Sequence, residues 1–254
     1  MVHDFSLLHD DIIDGSRSRR HRPTVWAAFG TSDCILTGDA LLSLAFTTVA
    51  EGPPEPAPRA LGCLAEAVTE LIEGEALDVA FEQRRQVSPS EYTAMAAAKT
   101  GALTACACTL GALAGGAAYE RAQLLGAFGQ HLGVAFQVVD DLLGLHGDPA
   151  VTGKPVGADL AAGKKTLPVL AALASGTWQG QELATVLADS TPQQGTELER
   201  AALLVEEAGG VSTARRTVNW ELTLAFAALA EAIPAESDRE ELRALAHVLT
   251  SRDH

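Results

Sequence analysis

Five aspartates define the chemistry available to this chain. Asp10, Asp11 and Asp14 lie in the run His9-Asp10-Asp11-Ile12-Ile13-Asp14, and Asp140 and Asp141 lie in Val139-Asp140-Asp141-Leu142-Leu143, 130 positions later. Apolar residues precede both groups, Leu7 and Leu8 before the first and Phe136, Val138 and Val139 before the second, so neither has the setting of an ordinary solvated helix end. Cations follow each group: Arg19 and Arg20 after the first, and Lys154, Lys164 and Lys165, three of the four lysines in the chain, after the second. On a helix, Asp10 and Asp14 stand one turn apart on the same face with Asp11 beside them, so carboxylates converge. Magnesium suits such a sparse group, because it binds one or two carboxylates, keeps several waters and completes its shell with phosphate oxygens. The residues therefore point to a diphosphate clamped by metal ions between two aspartate clusters.

The elements that must position these residues are helices. Apolar residues recur at helical spacing almost throughout, and alternating strands joined by Asn-Gly or Asp-Gly turns are absent. The periodicity predicts an all-α fold, with helices from the start to about 16, then about 32–50, 58–85, 89–114, 118–146, 164–175, 180–189, 196–208, 211–232 and 238–251. Ser88-Pro89-Ser90-Glu91 marks one start, with a Ser cap, Pro in the first turn and Glu three residues after the cap. The proline-rich stretch from Glu51 to Pro58 reads as a loop. No repeat or composition shift marks a boundary, so residues 1–254 read as one domain.

Composition excludes several classes. A formal net charge of −15 leaves no basic face for nucleic acid. Cys34, Cys63, Cys106 and Cys108 form no CxxC pair and fall in apolar helical segments, which predicts buried free thiols and a cytoplasmic setting. The N-terminus lacks the basic region of a secretory signal, and the uncharged run 101–119 is rich in Ala, Gly, Thr and Cys, as in a tightly packed interior helix; no membrane anchor is expected. His9, His131 and His146 have no metal-binding spacing and are expected to be isolated.

Taken together, Phe5 to Asp14, Arg19-Arg20-His21-Arg22-Pro23-Thr24, Lys99-Thr100-Gly101, Phe136-Gln137-Val138-Val139-Asp140-Asp141, Gly153-Lys154-Pro155-Val156-Gly157-Ala158-Asp159 and Gly163 to Pro168 resemble the trans-type polyprenyl diphosphate synthases, in order and over nearly the whole chain. The resemblance implies a helical bundle with a central cavity and a magnesium-dependent condensation of isopentenyl diphosphate with an allylic diphosphate, in a homodimer. Asp10, Asp11, Asp14, Asp140 and Asp141 match the family's magnesium ligands. Arg19, Lys99 and Lys154 match contacts to the allylic diphosphate, with Thr100 in the Lys-Thr element, Lys164 supporting the allylic pocket, and Arg20 matching a contact to isopentenyl diphosphate. Gln137, one turn before Asp141, would face the allylic cation. Phe5 resembles the aromatic floor of geranylgeranyl-forming members, favouring a twenty-carbon over a fifteen-carbon product.

The chain departs from the family pattern in places. Gly144 stands where the second motif has its third aspartate, His21 where a glycine is usual and Trp26 where a histidine is usual. Members usually carry helices before the first motif with a Gly-Lys-x-x-Arg-Pro element, and their loss would open one wall of the cavity. That feature keeps a non-catalytic partner subunit, or an inactive truncated synthase, as an alternative. A class I terpene cyclase is disfavoured, because the only asparagine, Asn219, does not begin the expected Asn-Asp-x-x-Ser-x-x-x-Glu motif.

Overall fold

Local signals set several helix ends. At Ser88 the hydroxyl accepts from the Glu91 backbone N–H at 3.2 Å, while the Glu91 carboxylate accepts from the Ser88 N–H at 2.9 Å, so the capping box read from the sequence is formed. The computed structural model describes residues 1–52, 57–84, 86–146, 157–188 and 195–251; Lys154 lies outside the described residues. Helices α1 (Val2–Ile13), α2 (Val25–Phe29), α3 (Thr31–Ala50), α4 (Ala57–Gln83), α5 (Pro89–Ala96), α6 (Ala102–Ala114) and α7 (Tyr119–His146) form the first part. After them come α8 (Ala158–Ala161), α9 (Leu167–Leu173), α10 (Trp178–Ala188), α11 (Thr196–Glu207), α12 (Gly210–Ala232) and α13 (Glu240–Thr250).

Among the described residues the structure is all-α apart from one hairpin, β1 (Ser18–Arg19) paired antiparallel with β2 (Arg22–Pro23). Two further differences from the sequence expectation bear on the site. The helix expected over 89–114 is broken by a π segment, Ala97–Gly101, which carries Lys99 and Thr100. The helix expected from 164 begins at Leu167, because Gly163 adopts φ +71° and the Lys164 N–H closes back on the Asp159 carbonyl at 2.9 Å, reversing the chain after α8.

Helix α7 runs through the interior between α6 and α12. Gly126, Gly129 and Gly133 recur on one of its faces, and a Cβ at Gly133 would stand 2.7 Å from the Gly101 Cα, so only hydrogen allows α7 this close to the π segment. Below the second aspartate pair, Phe81, Tyr92, Met95, Val138, Leu167, Leu170 and Val218 bring α4, α5, α7, α9 and α12 into one apolar cluster. Each large side chain buried there contributes roughly 1.5–3 kcal/mol. Cys34 and Cys106 are buried as expected, Cys63 and Cys108 only half-buried, and all four are free thiols. Thr31–Ala50 and Pro89–Ala114 are long and apolar enough to cross a membrane, but the second packs against α4 and α7.

Candidate active site

The last turn of α1 carries the first cluster. Asp10 and Asp14 share a face, while Asp11 turns inward and is 4% exposed. The hairpin that follows is fastened to this turn, since the Ser16 carbonyl accepts from Thr24 Oγ1 at 2.8 Å and Trp26 Nε1 at 2.7 Å. Trp26 thus anchors the hairpin to the turn after α1. The fastening brings Arg19 back over α1, where Nε donates to Asp11 at 2.9 Å and an Nη donates to Asp10 at 2.8 Å. Burial pushes the Asp11 pKa up against the opposing pull of Arg19. Arg20 and His21 occupy the hairpin turn with φ of 50° and 62°, and Arg20 is exposed, away from the ion pairs that hold Arg19.

Two lysines from distant parts of the chain complete the cluster. Lys164 Nζ donates to Asp14 at 2.7 Å. Lys99 Nζ stands 3.6 Å from Asp10, 2.8 Å from Glu75 and 2.6 Å from Asp78. Burial alone would lower the Lys99 pKa, but Asp78, Glu75 and Asp10 outweigh it and hold the ammonium well above its ordinary value. Glu75 and Asp78 were not singled out from the sequence. Their signal is weak: two acids three apart on the long helix α4, which matter only because Gly74 lets that helix touch the π segment. A Cβ at Gly74 would stand 2.2 Å from the Lys99 backbone nitrogen.

The second pair divides. Asp140 is exposed, whereas Asp141 is 6% exposed and accepts from the Leu167 backbone N–H at 2.9 Å and Gln137 Nε2 at 3.2 Å. Sequence gave the two equal standing as metal ligands; the structure turns Asp141 into the core, where it caps the start of α9. Burial raises its pKa to about 7 despite these donors. Gln137 in turn accepts from Thr100 Oγ1 at 2.6 Å, so its amide oxygen, expected to face an allylic cation, is engaged with the π segment. A continuous path joins the clusters: Asp10 to Lys99, then Thr100 to Gln137 and Asp141. π segments of this kind are frequent at functional sites.

Phe5 is buried on α1 with its ring edge-on to His9, centroids 4.8 Å apart. The histidines do not gather: His9 Nε2 lies 3.3 Å from the Ile35 carbonyl, and His131 pairs with Glu221 at 2.7 Å, joining α7 to α12. Among the described residues, no three His, Cys, Asp or Glu side chains stand ready to hold one metal ion. Asp10, Asp14 and Asp140 offer carboxylate oxygens, the donor type that magnesium takes beside water and phosphate. Arg19 and Lys99 rest on Asp10, and Lys164 rests on Asp14.

An all-α bundle that gathers aspartates, an arginine and lysines from separate elements into one set of ion pairs has the charge arrangement of a diphosphate-handling enzyme. Residues 1–205 match the family described as polyprenyl synthetase, and the chain belongs to that family; it is a trans-prenyl diphosphate synthase by class, a prenyltransferase. A farnesyl diphosphate synthase of Mycobacterium tuberculosis is 43% identical over 99% of this chain and 71% of its own length. A geranylgeranyl diphosphate synthase of the same organism is 42% identical over 100% of this chain and 71% of its own. Among solved structures, a polyprenyl synthetase from Streptomyces coelicolor superposes with a TM-score of 0.91 at 44% identity, covering 98% of this chain and 75% of that one. A geranylgeranyl pyrophosphate synthase from Corynebacterium glutamicum, complexed with isoprenyl diphosphate and magnesium, gives 0.88 at 30% identity, covering 99% and 76%.

Proposed function

We propose that the chain condenses isopentenyl diphosphate with an allylic diphosphate, geranyl or farnesyl, in a magnesium-dependent reaction that yields a longer all-trans prenyl diphosphate of twenty carbons. The observation that carries this reading is the convergence of Arg19, Lys99 and Lys164 on Asp10, Asp11 and Asp14. Asp10, Asp14 and Asp140 hold the metal in this reading, while Asp11 and Asp141, both buried, support them from behind. Magnesium, when bound by these carboxylates, would supply electrophilic assistance to departure of the allylic diphosphate. Arg19, Lys99 and Lys164 offset the charge that builds on the leaving oxygens, their ammonium and guanidinium groups being held in place by the carboxylates they now pair. Lys154 and Arg20 belong to the same assignment from the sequence, as contacts to the allylic and isopentenyl diphosphates. Thr100 holds the Gln137 amide, which in turn donates to Asp141 and so steadies the second aspartate pair. The isopentenyl double bond attacks the allylic cation, and the released diphosphate takes the proton, so no side-chain base is required.

Phe5, buried below Asp10, sets the floor of the product channel. The near-equal identities to a farnesyl and a geranylgeranyl synthase do not choose between lengths; the resemblance of Phe5 to an aromatic floor supports the twenty-carbon reading. The test is incubation of the purified chain with magnesium, isopentenyl diphosphate and each allylic primer, with products identified by mass spectrometry beside an Asp10→Asn control. A twenty-carbon diphosphate, lost in the control and in EDTA, supports the reading; no product from the folded chain sinks it. Phe5→Ala is expected to lengthen the product by at least one five-carbon unit. We further propose that the chain acts as a homodimer through the apolar outer faces of α3 and α4.

A further inference from the structure

Helices α4 and α6 bring two of the four thiols together. Cys63 on α4 and Cys106 on α6 lie in one apolar cluster with Leu64, Val68 and Leu110, to which α3 adds Ala45 and Phe46. Both are free thiols, Cys106 buried and Cys63 half-buried, and the two side chains interact directly across the helix contact. The other two cysteines are turned elsewhere. Cys34 Sγ donates to the Leu8 carbonyl at 3.3 Å, and Cys108 packs towards α7, where a Cβ at Gly129 would stand 2.9 Å from its Sγ. Cys63 also reaches solvent, because it lines an open cavity of about 430 Å³ with Arg59, Glu66, Thr109, Tyr119 and Gln123. That side of α4 is not the one offered for the dimer contact: exposed Ile72, nine positions on, falls half a turn away around the helix. The pair is chemically unequal. The Cys106 thiol lowers the Cys63 pKa, with a smaller pull from Thr109, against burial and the charges of Glu66 and Glu70. Cys106, beside Cys63 and buried, is pushed well above the ordinary thiol value and keeps its proton. An accessible sulfur that ionises first thus stands against a protonated one behind it.

We propose that Cys63 is an oxidant-sensitive modification site and Cys106 its resolving thiol, so that a hydroperoxide converts the pair into a disulfide that ties α4 to α6. The Cys63 sulfur takes the terminal hydroxyl of the hydroperoxide as the O–O bond breaks, giving a sulfenic acid, and the displaced oxyanion takes up the proton that Cys63 released. The Cys106 sulfur then attacks the Cys63 sulfur, the S–O bond breaks, and the leaving hydroxide departs as water with the Cys106 proton. The two thiols lose two electrons in all, and the hydroperoxide gains them. The bridge adds a second fastening between elements that already meet where Gly74 of α4 backs onto Lys99, in the π segment that leads into α6. A thiol reductant reverses it by exchange.

The experiment treats the reduced full chain with hydrogen peroxide, quenches with an alkylating agent, and reads intact and peptide masses without reduction. The expected product has lost two hydrogens, carries a cross-link between the Cys63 and Cys106 peptides, and returns to the starting mass in dithiothreitol. Its thermal midpoint should rise by roughly 5 °C or more over the reduced protein, since the bridge closes a long loop. Cys106→Ser should leave a Cys63 sulfenic acid that dimedone traps, whereas Cys63→Ser should leave Cys106 unmodified under the same exposure. In urea the unfolded chain should lose this selectivity and pair Cys106 with Cys108 as well. A folded wild type that stays at its starting mass, or that cross-links another pair first, overturns the proposal. So does a folded Cys63→Ser chain in which peroxide oxidises Cys106 as fast as in wild type. If a serine variant does not fold, the cross-link map of the wild type decides alone.

Discussion

Asp141 shows how one helical step changes the chemistry of a carboxylate. Its neighbour Asp140 is exposed, but Asp141 is buried, accepts from Leu167 N–H and Gln137, and has a pKa raised to about 7 by burial. A folded-state pKa above the unfolded value of about 3.9 means that the folded chain binds the extra proton, so this group's stabilising contribution is full below about pH 4 and is lost as pH rises towards 7. The loss amounts to roughly 4 kcal/mol, three units at about 1.4 kcal/mol each. Urea denaturation of metal-free protein at pH 4.5 and 7.5 should therefore show wild type losing stability relative to Asp141→Asn as pH rises; a flat difference would contradict the buried placement. Lys99 has the opposite role. Replacing it by Met leaves Glu75, Asp78 and Asp10 facing one another without their shared ammonium, and a loss of about 3 kcal/mol at pH 7.5 is expected in the same assay.

Among the elements, the π segment Ala97–Gly101 joins the two aspartate clusters, and its position depends on close backbone approach from both sides. Gly133 of α7 touches it at Gly101, and Gly74 of α4 touches it at Lys99. Gly74→Ala would place a methyl 2.2 Å from the Lys99 backbone nitrogen, a contact that no side-chain rotation relieves. We expect a cost of about 1–3 kcal/mol from the forced separation, read by denaturation, together with a fall in prenyl transfer because Glu75 and Asp78 retreat from Lys99. Stability and activity both equal to wild type would show that α4 does not set the lysine.

At the scale of the whole molecule, apolar side chains on α2, α3 and α4 stand exposed among the described residues. Phe29 is 72% exposed and Leu36 66%, and they line an open groove of about 620 Å³ with Val25, Asp33, Thr37 and Ala40; Leu44 on α3 and Ile72 on α4 are also exposed. Exposed apolar side chains grouped in this way suit an interaction surface, which is the ground for placing the proposed dimer contact there. Leu36→Glu should shift the sedimentation velocity profile from dimer to monomer without changing helical content. A monomeric wild type, or a variant that remains dimeric, would move the interface elsewhere.

What the sequence by itself determined was periodicity and chemical type. Helical spacing located the long helices, Ser88 and Glu91 declared a helix start, and the aspartates with their following cations named the chemistry and the family. These are local properties, set by which residues share a face within one helix. It was only the tertiary structure that separated Asp140 from Asp141, recruited Glu75 and Asp78 to Lys99, bent the chain at Gly163 and laid Asp159 over Gly144. Each depends on what a second helix brings against the first, and on glycines whose missing Cβ permits the approach; spacing along one chain segment carries no record of that partner.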